Sequence, residues 1–162
     1  MLTKKLLAVS LSFCLLLAGC TSKKTESPGG TGALPGETVE TKLLSFSATE
    51  FSFTDTPVGE ISPGKDQRLL VVKVEVKNTS GQEITVYFDD FELEAGEEKR
   101  FPEFPQTPEN IAEETILKNR DTLSGTLLFL VPAKTKEARL LYDEYFEGDL
   151  KGESYWVTLN LE

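Results

Sequence analysis

The sequence predicts an all-β fold: an antiparallel sandwich or barrel of seven or eight short strands, with no disulfide. Three observations lead there. In "QRLLVVKVEVKN", Val72, Val74 and Val76 alternate with Lys73, Glu75 and Lys77, which is the period of a strand with one buried and one wet face. Short apolar runs recur from Leu43 to Glu162, separated by prolines and by turn residues such as Gly81. The same region holds no long stretch with the 3.6-residue period of an amphipathic helix.

The first residues follow a different logic. Met1 to Lys5 is short and basic, and Leu6 to Ala18 is apolar apart from two serines. A charged start followed by an apolar run of this length reads as an export signal, and it falls short of the roughly 20 apolar residues that span a bilayer. The run ends in Leu17-Ala18-Gly19-Cys20, which resembles the bacterial lipobox. That resemblance implies cleavage after Gly19 and diacylglycerol on the Cys20 thiol, so residues 1–19 form a lipoprotein signal peptide. Cys14 is a small hydrophobe of the discarded run. These are the only two cysteines, so the exported part has no disulfide and no thiol site.

Cys20 to Lys42 is rich in Gly, Ser, Thr and Pro and almost without large apolar side chains. Such a segment buries too little surface to offset its ordering entropy, and 20–42 is expected to be a lipidated, flexible tether. The folded domain is expected over 43–162. Its first strand is "LLSFSATEFSFTD", with Phe46, Phe51 and Phe53. The valine strand follows. "NTSGQE" then marks a turn and "ITVYF" a return strand, together a hairpin. "FELEAGEE" alternates again, with Phe91, Leu93 and Ala95 on one side. In "KRFPEFPQTPEN" the three prolines cannot donate to a ladder, so it is a loop or an edge. "IAEETILKN" reads as a strand or a single turn. "DTLSGTLLFLVP", "EARLLYD" and "SYWVTLNL" complete the set, the last with Trp156 in the core.

"LLVVKVEVKNTSGQEITVYFDDFELEAGE" and the later "LSGTLLFLVPAKTKEARLLYD" are similar to a known family. It is the telokin-like, immunoglobulin-like domain of unknown function found in secreted and lipid-anchored Gram-positive proteins. Its fold is shared with a mycobacterial immunoprotective secreted antigen. The matching positions are Val-x-Asn at Val76 to Asn78, Phe-x-Leu at Phe91 to Leu93, and the glycine-led strand from Gly125 to Pro132. The family often has Pro-Gly before that strand, where this chain has Lys118-Asn119-Arg120-Asp121. The resemblance implies an immunoglobulin-like β-sandwich on the outer face of a Gram-positive cell membrane. It carries no catalytic motif.

Composition narrows the chemistry. Past the signal, fifteen Lys and Arg stand against twenty-seven Asp and Glu, a charge of −12. Such a surface repels phosphate backbones, which argues against nucleic-acid binding. There is no histidine, so no Ser-His-Asp site and no histidine-bound zinc or copper. Ser124 and Lys118 are a strand serine and a loop lysine, and the chain is expected not to be an enzyme. Asp89, Asp90 and Glu92 are candidate calcium ligands in an acidic run, although the run lacks the spacing of a calcium loop. No other cofactor is implied. Phe101 and Phe104 in the proline-rich stretch are candidate partner contacts. The expected role is binding to another envelope protein or an extracellular ligand, with the membrane reached through the lipid. The second reading is a weak calcium-binding or envelope-stress accessory lipoprotein.

Overall fold

The computed structural model describes residues 30–105, 107–146 and 150–162. Cys14, Cys20 and the signal peptide lie outside the described residues. The strands are β1 (Gly30–Ala33), β2 (Val39–Glu40), β3 (Leu44–Thr54), β4 (Gln67–Asn78), β5 (Ile84–Tyr87), β6 (Phe91–Ala95), β7 (Glu98–Arg100), β8 (Glu114–Leu117), β9 (Thr122–Pro132), β10 (Glu137–Phe146) and β11 (Leu150–Asn160). A single 3₁₀ turn, Phe88–Asp90, joins β5 to β6. One sheet has the order β1-β11-β10-β6-β7, the second β2-β3-β4-β9, and β5 pairs with β8 in a separate ribbon. All pairings are antiparallel except β1 with β11.

The valine alternation sets the centre. Val72, Val74 and Val76 are buried on the inner face of β4, while Lys73, Glu75 and Lys77 are exposed. Facing them across the sandwich are Phe91 and Leu93 of β6, Leu140 and Tyr142 of β10, and Val157 and Leu159 of β11. Phe46 of β3 bridges the two layers. Its ring meets Phe91 edge-on at 5.5 Å and lies 5.8 Å from Tyr142. Burying each such aromatic side chain contributes about 1.5–3 kcal/mol.

The sandwich begins earlier than the sequence suggests. Residues 30–33 and 39–40, expected within the tether, are strands. The glycines of β1 serve close approach: a methyl group on Gly32 would overlap the Trp156 indole, and one on Gly30 would overlap the Ser154 carbonyl. Trp156 is buried, but outside the central core. It lies beneath β1, with the Arg139 guanidinium 5.6 Å from its ring centre. Its neighbours Tyr155 and Val157 point into the sandwich.

The expected hairpin between β4 and β5 does not form. Both edges of β4 are already occupied, by β3 and β9. The chain therefore turns away after Asn78, and β5 finds β8. Asn78 is fully buried and organises this departure. Its Nδ2 donates to the carbonyls of Gln82 (2.6 Å) and Leu117 (2.9 Å), and its Oδ1 accepts from the Ser80 N–H (3.0 Å) and hydroxyl (2.9 Å). Its backbone N–H donates to Asp121 O, and its carbonyl accepts from the Arg120 N–H. Arg120 has φ 71°, the left-handed conformation that Pro-Gly turns assign to glycine.

The proline-rich stretch protects an edge. Glu103 N–H donates to Leu128 O at 2.7 Å, Ile111 N–H to Thr126 O at 3.2 Å, and Thr126 N–H to Glu109 O at 2.9 Å. Gly125 lets this segment lie close, since a side chain there would come within 2.8 Å of Ile111 Cγ1. Prolines along such a cover discourage further strand addition. Replacing Asn78 by alanine strands the Leu117 and Gln82 carbonyls, and the expected loss is about 3 kcal/mol. A urea titration checks this: the midpoint falls while the slope stays the same.

Candidate interaction surface

The structure separates the two phenylalanines. Phe101, just past β7, is 62% exposed. Phe104 is half-buried, its ring 4.8 Å from that of Phe88 in the 3₁₀ turn and tilted 36° to it. Of the pair, only Phe101 is presented to solvent.

The acidic run also diverges. Asp90 turns back over the 3₁₀ turn and accepts the Tyr87 N–H at 2.8 Å. Burial raises the Asp90 pKa; the Tyr87 hydrogen bond opposes this, and the neighbouring Asp89 charge adds to it. Glu92 receives the Lys99 ammonium at 2.8 Å, a bond that raises the lysine pKa. Asp89 is exposed. Among the described residues no three Asp, Glu or Cys side chains gather at metal-binding separations.

Tyr87 and Ile116 are among the exposed apolar residues that escaped the sequence reading. Register places Thr85 opposite Ile116, and Tyr87 opposite Glu114. These four share the outer face of the ribbon, while Val86 and Leu117 are buried beneath it. Tyr87 is 43% and Ile116 59% exposed. Beside them lies a hollow of about 330 Å³ lined by Tyr87, Phe88, Asp89, Glu113 and Glu114. The alternation of Ile84-Thr85-Val86-Tyr87 carried the signal for that face. It was masked by assigning β5 to a hairpin with β4.

Glu144 sits where β10 changes register between Asp143 and Tyr145, and it is wholly buried. Its Oε1 accepts the N–H groups of Lys42 (2.9 Å) and Leu43 (3.1 Å), which ties β10 to the start of β3. Burial, aided by the Asp90 and Glu144 charges, raises the phenol pKa of Tyr142, and burial aided by the Glu144 charge pushes that of Tyr155 up to about 12. Both phenols are therefore protonated at neutral pH. Ser124 lies opposite Glu75 on β9, and the Lys118 N–H donates to the Asp121 carboxylate in the turn before it. The surface presents an aromatic, apolar spot, Tyr87 and Ile116, beside the carboxylates of Asp89, Glu113 and Glu114.

Architecture and surface together define an immunoglobulin-like β-sandwich module with an acidic, aromatic face. The chain belongs to the family described as domain of unknown function DUF4352, which matches residues 34–151. No curated protein matches it. Among solved structures it is similar to ycdA of Bacillus subtilis, described as a "putative lipoprotein", with 24% identity and a TM-score of 0.65. That match covers 76% of this chain and 38% of ycdA, so the chain spans well under half of that relative. The yjhA protein of Bacillus subtilis matches at 17% identity and TM-score 0.59, over 76% of this chain and 98% of its own. MPT63, a secreted protein of Mycobacterium tuberculosis, matches at 10% identity and TM-score 0.59, over 83% of this chain and 99% of its own. These likenesses establish the expected sandwich fold.

A raised Asp90 pKa makes the folded state hold its proton to higher pH than the unfolded chain does. Stability from this group is therefore fully present below the unfolded value and declines as pH rises through the folded one. Asp90→Asn keeps an acceptor for Tyr87 and removes the titration. Urea midpoints are expected to show the variant gaining on the wild type at pH 7 relative to pH 3.

Proposed function

We propose that this chain is a lipid-anchored extracytoplasmic protein of the bacterial cell membrane. Its sandwich binds another envelope protein or an extracellular ligand and catalyses no reaction. The observation that carries this reading is the Leu17-Ala18-Gly19-Cys20 box at the end of the apolar run. The likeness to a protein described as a lipoprotein supports it. The two acyl chains of the diacylglycerol on Cys20 supply the anchorage that holds stably where a single chain does not. The early start of the sandwich shortens the leash: from Cys20 to Gly30 the chain reaches at most about 36 Å. The domain thus works close to the membrane surface, with Phe101 as an exposed contact. Two protonated phenols and the lack of histidine support a binding role over an enzymatic one.

Mass spectrometry of the membrane fraction is expected to find an N-terminal Cys20 carrying diacylglycerol, and Cys20→Ser to release or trap the protein elsewhere. An unmodified Cys20 would end the anchoring reading. For binding, a photocrosslinker at Glu97, exposed in the β6–β7 turn, is expected in intact cells to yield one recurring envelope partner. Phe101→Ala should lower that yield several-fold, and an unchanged yield removes Phe101 from the contact.

A further inference from the structure

We propose that the outer face of the β5–β8 ribbon docks a basic, partly apolar segment of a partner protein. This rests on the reading of the sandwich as a binding module and names the chemistry of its partner. Among the described residues the face has no sheet partner beyond its own two strands. Tyr87 and Ile116 are diagonal neighbours across the ribbon, close enough to form one apolar spot. Both remain exposed although Val86 and Leu117 on the inner side of the same ribbon are buried.

The charge around the spot decides the partner. From Glu83 to Glu114 the chain carries eleven Asp and Glu and only two Lys and Arg. The structure sorts these acids into two groups. Glu92, Glu94 and Glu98 each have a cation, from Lys99, Arg139 and Arg100. Asp89, Glu113 and Glu114, which line the hollow beside Tyr87 and Phe88, take part in no ion pair among the described residues. A lysine or arginine entering the hollow meets carboxylates and an aromatic wall together, the combination that binds an organic cation. An apolar side chain one strand-step away covers Ile116. Anionic lipid and nucleic acid are repelled by this face, and a second copy would bring the same sign of charge.

The probe is fluorescent acetyl-Lys-Leu-Lys-Leu-Lys-amide, titrated against the full chain in zwitterionic nanodiscs with empty discs subtracted. Affinity is expected to fall about tenfold, some 1.4 kcal/mol, in Glu113→Gln/Glu114→Gln, and similarly in Tyr87→Ser/Ile116→Ser. It should also weaken as salt rises from about 50 to about 300 mM. Glu50→Gln/Glu75→Gln, on the outer face of the β3–β4 pair, should leave it unchanged. Equal weakening in that control, or equal binding of a Lys-Ser-Lys-Ser-Lys peptide, overturns the proposal. So does an affinity that rises in Lys23→Gln/Lys24→Gln, which would make the chain's own N-terminal segment the occupant. Crosslinks to an envelope partner that survive both ribbon variants would sink this face and leave the binding module standing.

Discussion

One buried carboxamide holds the sandwich in register with its appendage. Asn78 ends β4, and its side chain bonds to Gln82, Leu117 and Ser80 while its backbone closes the turn before β9. A fully buried amide is tolerated only when its donors and acceptors are met, and here the partners come from the turn after β4 and from the end of β8. The ribbon owes its placement to this residue. Leu117 of β8 is held from beneath, and β5 pairs with β8 along its length. Tyr87 and Ile116 are thus displayed by an interaction that neither of them makes.

Charge pairing follows the same architecture. The adjacent β6, β7 and β10 bring Glu92 to Lys99 and Glu94 to Arg139 across strands. Such pairs are partly exposed, and each contributes at most about 1 kcal/mol. Their larger effect is to cancel charge over the main sheet, so that the negative field is concentrated where no base reaches. Arg120 is a local exception to economy. A non-glycine residue in the left-handed region costs about 1 kcal/mol, here offset by the backbone bond that its N–H makes to Asn78.

Much of this was legible in the residues. The alternation in β4 and the apolar run of β9 reflect a local period, and both strands appear where that period puts them. What stayed hidden depends on distant partners. The glycines of β1 read as a leash because nothing nearby says that an indole over a hundred residues later will lie against them. Likewise, β5 pairs with β8 because the edges of β4 are already taken, a fact of the assembled sheet and not of "ITVYF" itself. Phe101 and Phe104 look equivalent in sequence, yet Phe88 claims only the second. The acids of 89–92 share a run but not a direction, since the 3₁₀ turn sends Asp90 back and strand β6 sends Glu92 sideways to Lys99.

The parallel docking of β1 has a mechanical meaning. Four residue pairs tie it to β11 in register, with the chain entering at Gly30 beside Ser154. Tension applied ahead of Gly30 along the strand axis therefore loads all four pairs in shear, and sideways tension peels them one at a time. The direction of tugging would decide how firmly this edge grips. Were β1 to slip, the indole of Trp156 and the bare rim of β11 would be uncovered together.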